Sequence, residues 1–266
     1  MIACADDYGL APDIDDAIRE LAERGRLSAV SCLVTTPGAE KALPALAAAA
    51  GNRFDLGLHI DLTEGRPVSN PGTIRTLANR AGGFAGFRAL HAGVWKGAVA
   101  PGEAALECEA QLERFAALAG RPPDFVDGHL HVQQFPVIRD SLIAGLLRRP
   151  PHERPVYVRN AFQPVRHILA QRVSFWKSFG IGIYGLQFRN RLKASGLSTN
   201  SGFAGFYPFP RHTAYAALLS RFADALPEKN GLLMTHPGLN VSWRKAEFEA
   251  LRDAPYLPAR INRFCR

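Results

Sequence analysis

The chain contains little cysteine and no long hydrophobic run, and these two absences argue against several classes of protein. Only four cysteines occur in 266 residues (Cys4, Cys32, Cys108 and Cys265), and no two of them form a CxxC pair. Neither a disulfide framework nor a cysteine-ligated zinc site is therefore indicated. No stretch approaches the roughly 18 apolar residues of a membrane-spanning helix, and the first residues turn acidic too early for a signal peptide. The predicted location is the cytoplasm.

Acidic residues are outnumbered, with 24 Asp and Glu against 32 Lys and Arg, which gives a net charge of +8. A basic balance can indicate a nucleic acid, an anionic membrane or an anionic substrate as partner. The arginines are dispersed, and no RNA-binding or helix-turn-helix signature accompanies them, so nucleic acid is not a predicted partner.

One segment, from about 164 to 193, interleaves apolar and basic residues more densely than the rest of the chain. The favoured interpretation is an outer pair of helices with a solvated basic face. The alternative is an apolar-basic flap that associates weakly with an anionic membrane or binds a lipid-linked substrate, because this composition suits an interfacial helix.

Histidine is scarce as well, and its placement carries the strongest functional signal. Four of the eight histidines are set in loop-like sequence, at positions 91, 152, 167 and 212. The other four, His59, His129, His131 and His236, follow or end strand-like apolar runs. The N-terminal run leads into Asp6 and Asp7 in the same way. In an α/β fold with parallel strands, chemistry collects at the carboxyl ends of the strands, so these side chains are expected at one edge of a sheet.

The stretch Asp127-Gly128-His129-Leu130-His131 is the densest of these strand ends. On an extended segment, residues two apart point to the same side. Asp127, His129 and His131 are therefore predicted to face one pocket. A carboxylate and two imidazoles are the ligand types that a divalent metal prefers. The alternative is a histidine that caps a helix or packs against Phe135.

Periodicity predicts alternating strands and helices, which favours a parallel sheet in one domain. Strands are predicted near 1–5, 28–35, 54–60, 125–127, 156–159 and 232–236, and helices near 12–24, 39–50, 103–119, 138–147, 212–225 and 244–252. The domain spans 1–266, with a long loop insertion near 64–101 and a flap-like segment near 162–210, of which 200–210 has the composition of a loop.

Four motifs in sequence resemble the YdjC/ChbG family of carbohydrate deacetylases, which includes the hopanoid-associated HpnK branch. They are Ala5-Asp6-Asp7-Tyr8-Gly9, the stretch from Gly57 to Pro67, Asp127 to His131 with Phe135-Pro136, and His236-Pro237. The chain departs from the family at Tyr8, where Phe is usual, and at Gln133, where some relatives have a further histidine. The resemblance implies a distorted (β/α) barrel of the polysaccharide-deacetylase type, whereas the residue pattern itself supports only a parallel α/β sheet.

The resemblance also implies residue roles. Asp7, His59 and His129 match positions that bind one divalent metal ion, either magnesium or zinc. Asp6 matches a general base and His236 a general acid. Four more residues are implied as neighbours of the ligands or of the substrate: His131, Asp127, Arg159 and Tyr8. His131 is alternatively a direct ligand.

The activity implied by the resemblance is metal-dependent removal of the N-acetyl group from an acetylated amino sugar, either a chito-oligosaccharide or a lipid-linked sugar. Two alternatives stay open because a fold does not determine its chemistry. One is another metal-dependent hydrolase on the same barrel, a glycosidase or an amidase. The other is a sugar-binding relative without catalysis. A homodimer is a further hypothesis.

Overall fold

The computed structural model describes residues 1–164, 175–209 and 214–265, with the side chains of 175–180 outside that description. Within these ranges the strands are β1 (Ile2–Tyr8), β2 (Ala29–Cys32), β3 (Asp55–Ile60), β4 (Phe125–Gly128), β5 (Tyr157–Val158), β6 (Gly202–Ala204) and β7 (Gly231–Thr235). They form a single sheet in the order β5-β4-β3-β2-β1-β7-β6. Every pair is parallel. The sheet curls into a distorted (β/α) barrel, which confirms the predicted fold.

Helices cover the outside of this sheet. They are α1 (Pro12–Glu23), α2 (Ala39–Ala50), α3 (Phe87–Trp95), α4 (Pro101–Ala119), α5 (Pro136–Arg148), α6 (Phe175–Ala194), α7 (Tyr215–Ala225), α8 (Ser242–Asp253) and α9 (Leu257–Arg260). The first illustrates how the sequence sets them. It begins at Pro12, whose fixed φ suits a first helical turn. Its buried residues repeat at helical spacing (Ile14, Ala17, Ile18, Leu21 and Ala22). The helix therefore packs one apolar stripe onto the sheet.

All strand residues are buried, as is usual for a parallel sheet that is covered on both faces. Inside the barrel, the Phe125 ring stacks on Tyr157 with centroids 5.0 Å apart. Gly57 on the neighbouring strand makes room for that ring, because a Cβ at this position would lie 2.4 Å from the Phe125 ring. The strand ends around this core set the positions of the polar side chains.

Asparagine side chains and one backbone hydrogen bond, rather than a strand ladder, join the two edge strands of the sheet. The backbone N–H of Asn160, just after β5, donates to the side-chain oxygen of Asn200 at 2.8 Å. The Asn200 amide donates back to the Asn160 carbonyl at 2.9 Å and to Gly202 at 2.9 Å. The Val158 N–H also donates to the Ser198 carbonyl at 2.9 Å. These bonds bring β5 and β6 together across the gap in the barrel.

Two regions that the sequence predicts as loops contain regular structure. Helix α3 lies inside the 64–101 segment. The sequence did not predict it because Gly82, Gly83 and Gly86 precede it and because Leu90 is its only buried residue. Strand β6 lies inside 200–210 and has only three residues, too few to show a periodic pattern. Residues 165–174 of the predicted flap lie outside the described part of the chain. In that described part, no helix has the length and apolarity needed to cross a membrane.

Candidate active site

The candidate site begins at the carboxyl end of β1, where adjacent acids turn apart. The register between β1 and β2 shifts between Ala5 and Tyr8, and Asp7 has a positive φ of 71°. Asp is one of the few non-glycine residues that tolerate this left-handed conformation. The bend sends the Asp6 and Asp7 carboxylates to different partners, which two separate roles require.

Asp7 lies against two histidines from other strand ends. Its Oδ1 is 3.0 Å from Nδ1 of His129 and 3.6 Å from Nε2 of His59. One ligand atom from each of the three residues lies within 4.8 Å of the other two. Ligands that each bind one ion at about 2.0–2.2 Å are separated by roughly 3–4 Å. The structure thus brings together Asp7, His59 and His129 with spacing and chemistry that fit a divalent metal.

A second set of residues fixes the orientation of His59. The register of β3 and β4 places His59 beside Asp127, and the His59 Nδ1 lies 2.6 Å from Asp127 Oδ1. The Ser31 hydroxyl donates to the same carboxylate and lies 2.9 Å from the same nitrogen. With Nδ1 engaged in this way, the free Nε2 points to the pocket, as in carboxylate–histidine–metal arrangements.

The electrostatics of the pocket favour a positive charge. Three buried carboxylates, those of Asp6, Asp7 and Asp127, lie beside two guanidinium groups, those of Arg159 and Arg244. One negative charge is left over. This negative charge affects the pKa of His129. Burial alone would lower the pKa of its imidazole, but the contacts with Asp7 and Glu64 outweigh burial and raise that pKa to about 10.

Asp6 is held by Arg159 in the interior of the barrel. Two parallel contacts join them, Nη1 to Oδ1 at 2.6 Å and Nη2 to Oδ2 at 2.8 Å. Nη1 of Arg159, a residue with 0% exposure, also lies 2.8 Å from Asp127 Oδ2. Burial raises the pKa of Asp6, but the guanidinium outweighs it and the pKa falls to about 2. Asp6 is therefore an ionised hydrogen-bond acceptor at neutral pH.

His236 follows β7 on the other side of Asp6. Its Nε2 lies 3.9 Å from Asp6 Oδ2, and its ring packs edge-on against Phe209 at 5.0 Å. Burial lowers the pKa of His236 to about 4, so the imidazole is neutral at pH 7. The backbone N–H of His236 donates to Oε2 of the buried Glu247 at 2.5 Å. This bond fixes the loop that carries the imidazole.

A family model described as YdjC-like protein matches residues 1–258. The chain belongs to the YdjC-like family. The family predicted from the four motifs is thereby confirmed.

Individual relatives agree with this assignment. A mouse (Mus musculus) protein named carbohydrate deacetylase is 32% identical over 251 residues, which are 90% of this chain and 77% of that protein. A human protein of the same name is 38% identical over 59% of this chain and 50% of its own length. A Serratia marcescens protein named chitooligosaccharide deacetylase is 33% identical over 52% of each chain. The matched region thus spans about half of the human and Serratia proteins.

A solved structure shows the same fold. It is a protein of Enterococcus faecalis V583 that is named for cellobiose-phosphate cleavage, and it superposes with a TM-score of 0.71. The superposition covers 100% of this chain and 96% of the other, at 20% sequence identity. At that identity the superposition establishes the barrel fold of this YdjC-like protein. Its chemistry has to be inferred from the residues of the site.

Two predicted site residues of this YdjC-like protein, His131 and Tyr8, lie outside the cluster of Asp7, His59 and His129, although His131 stays close enough to Arg159 and Asp6 to interact with their charges. β4 ends at Gly128, and Leu130 and His131 have positive φ values of 51° and 61°. The two-residue alternation of an extended strand is therefore wrong here. His131 turns away from His129 and packs edge-on against Phe206 at 5.1 Å. The Tyr8 hydroxyl donates to the Ala42 carbonyl at 3.3 Å, toward α2 and away from Asp7.

Four residues of the site were missed by the sequence: Ser31, Glu64, Arg244 and Glu247. Ser31 lies within an apolar strand, and Glu64 lies inside the motif from Gly57 to Pro67 but had no role assigned to it. Arg244 and Glu247 are three apart on α8, so they share a helix face. A pattern of polar residues directly after apolar runs does not single out this pair, because Arg244 and Glu247 lie inside a helix and not at a strand end.

Proposed function

We propose that this YdjC-like protein is a metal-dependent hydrolase that removes the N-acetyl group from an acetylated amino sugar. The observation that carries the proposal is the convergence of Asp7, His59 and His129, with one ligand atom from each within 4.8 Å, beside Asp6 and His236. Relatives named carbohydrate deacetylase and chitooligosaccharide deacetylase support the substrate class. The two imidazoles suit zinc, and the family resemblance also allows magnesium.

The residues around the metal position have complementary chemistry. When bound, a divalent ion would polarise the acetyl carbonyl and acidify water. Asp6 is ionised and accepts the proton of the attacking water. Arg159 holds the Asp6 carboxylate in place at the pocket. His236 lies on the opposite side of Asp6. Because its imidazole is neutral at pH 7, it first takes up the proton that Asp6 has accepted from the water and then donates a proton to the departing amine. The 3.9 Å between Asp6 Oδ2 and His236 Nε2 keeps the acceptor and the donor within one small site.

Acetate release tests the proposal directly. We expect the purified protein to release acetate and a free amine in equal amounts from N,N′-diacetylchitobiose. Stripping the metal with a chelator should abolish release, and added zinc or magnesium should restore it. Release of reducing sugar without acetate would instead support a glycosidase, and metal and sugar binding without either product would support a non-catalytic relative.

A specific cleft favours a lipid-linked sugar as a second candidate substrate. A cavity of about 780 Å³ lies between α3 and α6. It begins at the turn that carries His129, and most of its lining is apolar: Phe87, Val94, Trp95, Leu130, Phe135, Ile181 and Ile183. Trp95 is 73% exposed there. An apolar aglycone would remove this surface from water.

Alkyl glycosides separate the two candidate substrates. For a lipid-linked substrate, kcat/KM on N-acetylglucosaminides should rise with alkyl chain length, measured below micelle-forming concentrations. Trp95→Ala should reduce activity on the octyl glycoside about tenfold or more, because burying part of an indole contributes over 1 kcal/mol, and should spare the methyl glycoside. Leu106→Ala, at an exposed apolar position on α4, is the matched control.

Liposome sedimentation tests the lipid-linked substrate in a second way. The protein should then sediment with anionic liposomes at low salt and be released near about 0.5 M salt, where surface charges are screened within a few ångströms. No dependence on chain length, together with no liposome binding, would leave water-soluble chito-oligosaccharides as the substrate.

The cytoplasm is the location that we propose, and the cysteines support it. Cys4, Cys32 and Cys108 are buried, Cys265 is exposed, and all four are free thiols. Free thiols suit a reducing compartment. A homodimer and the absence of nucleic-acid binding stay predictions.

A further inference from the structure

We infer that Arg244 is a positioning residue that holds the metal-ligand carboxylate of Asp7 and the His236 loop with one guanidinium group. The inference rests on the metal site of the proposed function. It assigns a role to a helix residue that none of the four strand-end motifs contains.

The first contact concerns the oxygens of Asp7. Nη2 of Arg244 lies 2.6 Å from Asp7 Oδ2, while the other oxygen, Oδ1, faces His129 and His59. The guanidinium thus leaves Asp7 only one oxygen for the metal pocket. A carboxylate held in this way would offer a bound ion a single oxygen, which would leave room at the ion for water and substrate.

The second contact concerns the proposed general acid. Nη1 of Arg244 lies 3.4 Å from the backbone carbonyl of His236. The two guanidinium nitrogens therefore connect the metal-ligand side of the site to the side that carries the imidazole. A planar fork can hold two partners at fixed geometry, whereas a lysine ammonium on a flexible stem cannot reproduce that geometry.

The surroundings of Arg244 show that its conformation is fixed. Its side chain is only 12% exposed, and the guanidinium lies over the Trp243 ring at 4.7 Å from the centroid. Gly238 makes room for it, because a Cβ there would lie 3.2 Å from both Cβ and Cδ of Arg244. Ion pairs on the open surface contribute little, but this one joins a buried carboxylate to a packed guanidinium.

The same helix supplies a matched control. Arg252 also pairs with a neighbouring carboxylate, Asp253, and also lies over an aromatic ring, that of Phe248. The Arg252 side chain is 35% exposed and that of Asp253 62%, and in the described structure neither contacts a strand-end residue of the site. Arg244→Met and Arg252→Met therefore remove the same group from a packed and an exposed position.

Metal affinity is the deciding measurement, made on the full chain by competition with a chromophoric chelator for zinc, or by calorimetry for magnesium. We expect Arg244→Met to weaken metal binding about 10–100-fold and to lower kcat, while Arg252→Met changes neither. Arg244→Lys should recover only part of both losses. In Arg244→Ala, added methylguanidinium should restore metal affinity and kcat together, which a purely structural role would not produce.

Each other result contradicts the inference in a distinct way. Unchanged metal affinity in folded Arg244→Met would overturn it, and a rise in KM alone would make Arg244 a substrate contact instead. If the wild-type chain binds no metal, the proposed metal site and this inference both fail. If Arg244→Met does not fold, Gly238→Ala displaces the same side chain by a few tenths of an ångström. That variant should weaken metal binding in the same direction, and an unchanged affinity would again overturn the inference.

Discussion

Asp7→Asn and His59→Ala should each reduce bound metal from about one ion per chain to near zero, and acetate release to the background rate. Each variant removes one of three protein ligands, and two remaining ligands hold a divalent ion poorly. Asparagine is the suitable replacement at position 7, because it tolerates the left-handed backbone there. The loss should therefore report ligation rather than a distorted strand end.

Metal analysis of the purified variants measures this directly, with circular dichroism to confirm that the fold is retained. His152→Ala is the control, since the side chain of His152 is 80% exposed and lies outside the site. Full metal content in either ligand variant would show that the ion, if one is bound, lies elsewhere.

Asp6→Asn and His236→Ala should behave differently from the ligand variants, because each reduces turnover about 10²–10⁴-fold while metal content stays near one. Asn at position 6 cannot accept the proton of the attacking water. Arg159 keeps a carboxylate partner in that variant, because Asp127 Oδ2 lies 2.8 Å from its Nη1, so the buried guanidinium is not left unpaired. Alanine at position 236 removes the proton donor to the amine.

Single-turnover acetate release, with metal content measured on the same sample, separates these effects. Asp16→Asn, at an exposed acid on α1, controls for the loss of one negative charge. Near-normal turnover in Asp6→Asn or His236→Ala would mean that the base and acid roles are misassigned. A loss of metal in either variant would show that the residue also supports the ligands.

The site residues at strand ends could be predicted from the sequence. The residues that reach the site from within a strand or from a helix could not. Parallel strands bring their carboxyl ends to one edge, so Asp7, His59 and His129 had to lie near one another whatever the loop details. Ser31 and Arg244 reach the site from the middle of a strand and from a helix. Only the packed geometry shows which of many such residues point inward.

Local conformation accounts for the remaining differences. His131 was placed by assuming that the strand continues, and two left-handed residues after Gly128 end it. Non-glycine residues adopt that conformation too rarely for a sequence pattern to predict it. Helix α3 was missed because the glycines before it resemble a loop and its exposed face carries Trp95.

The bonds between Asn160 and Asn200 have a consequence for how copies of the chain can meet. β5 and β6 are the edge strands, with two and three residues. The open edge of a sheet offers unpaired backbone groups to which a foreign strand can add, a common route to aggregation. Here the Val158 N–H bonds to Ser198, and the two asparagine amides occupy the groups beside it. In the described part of the chain these groups are already paired, so we expect a homodimer to form through helices or loops and not by strand addition at this point.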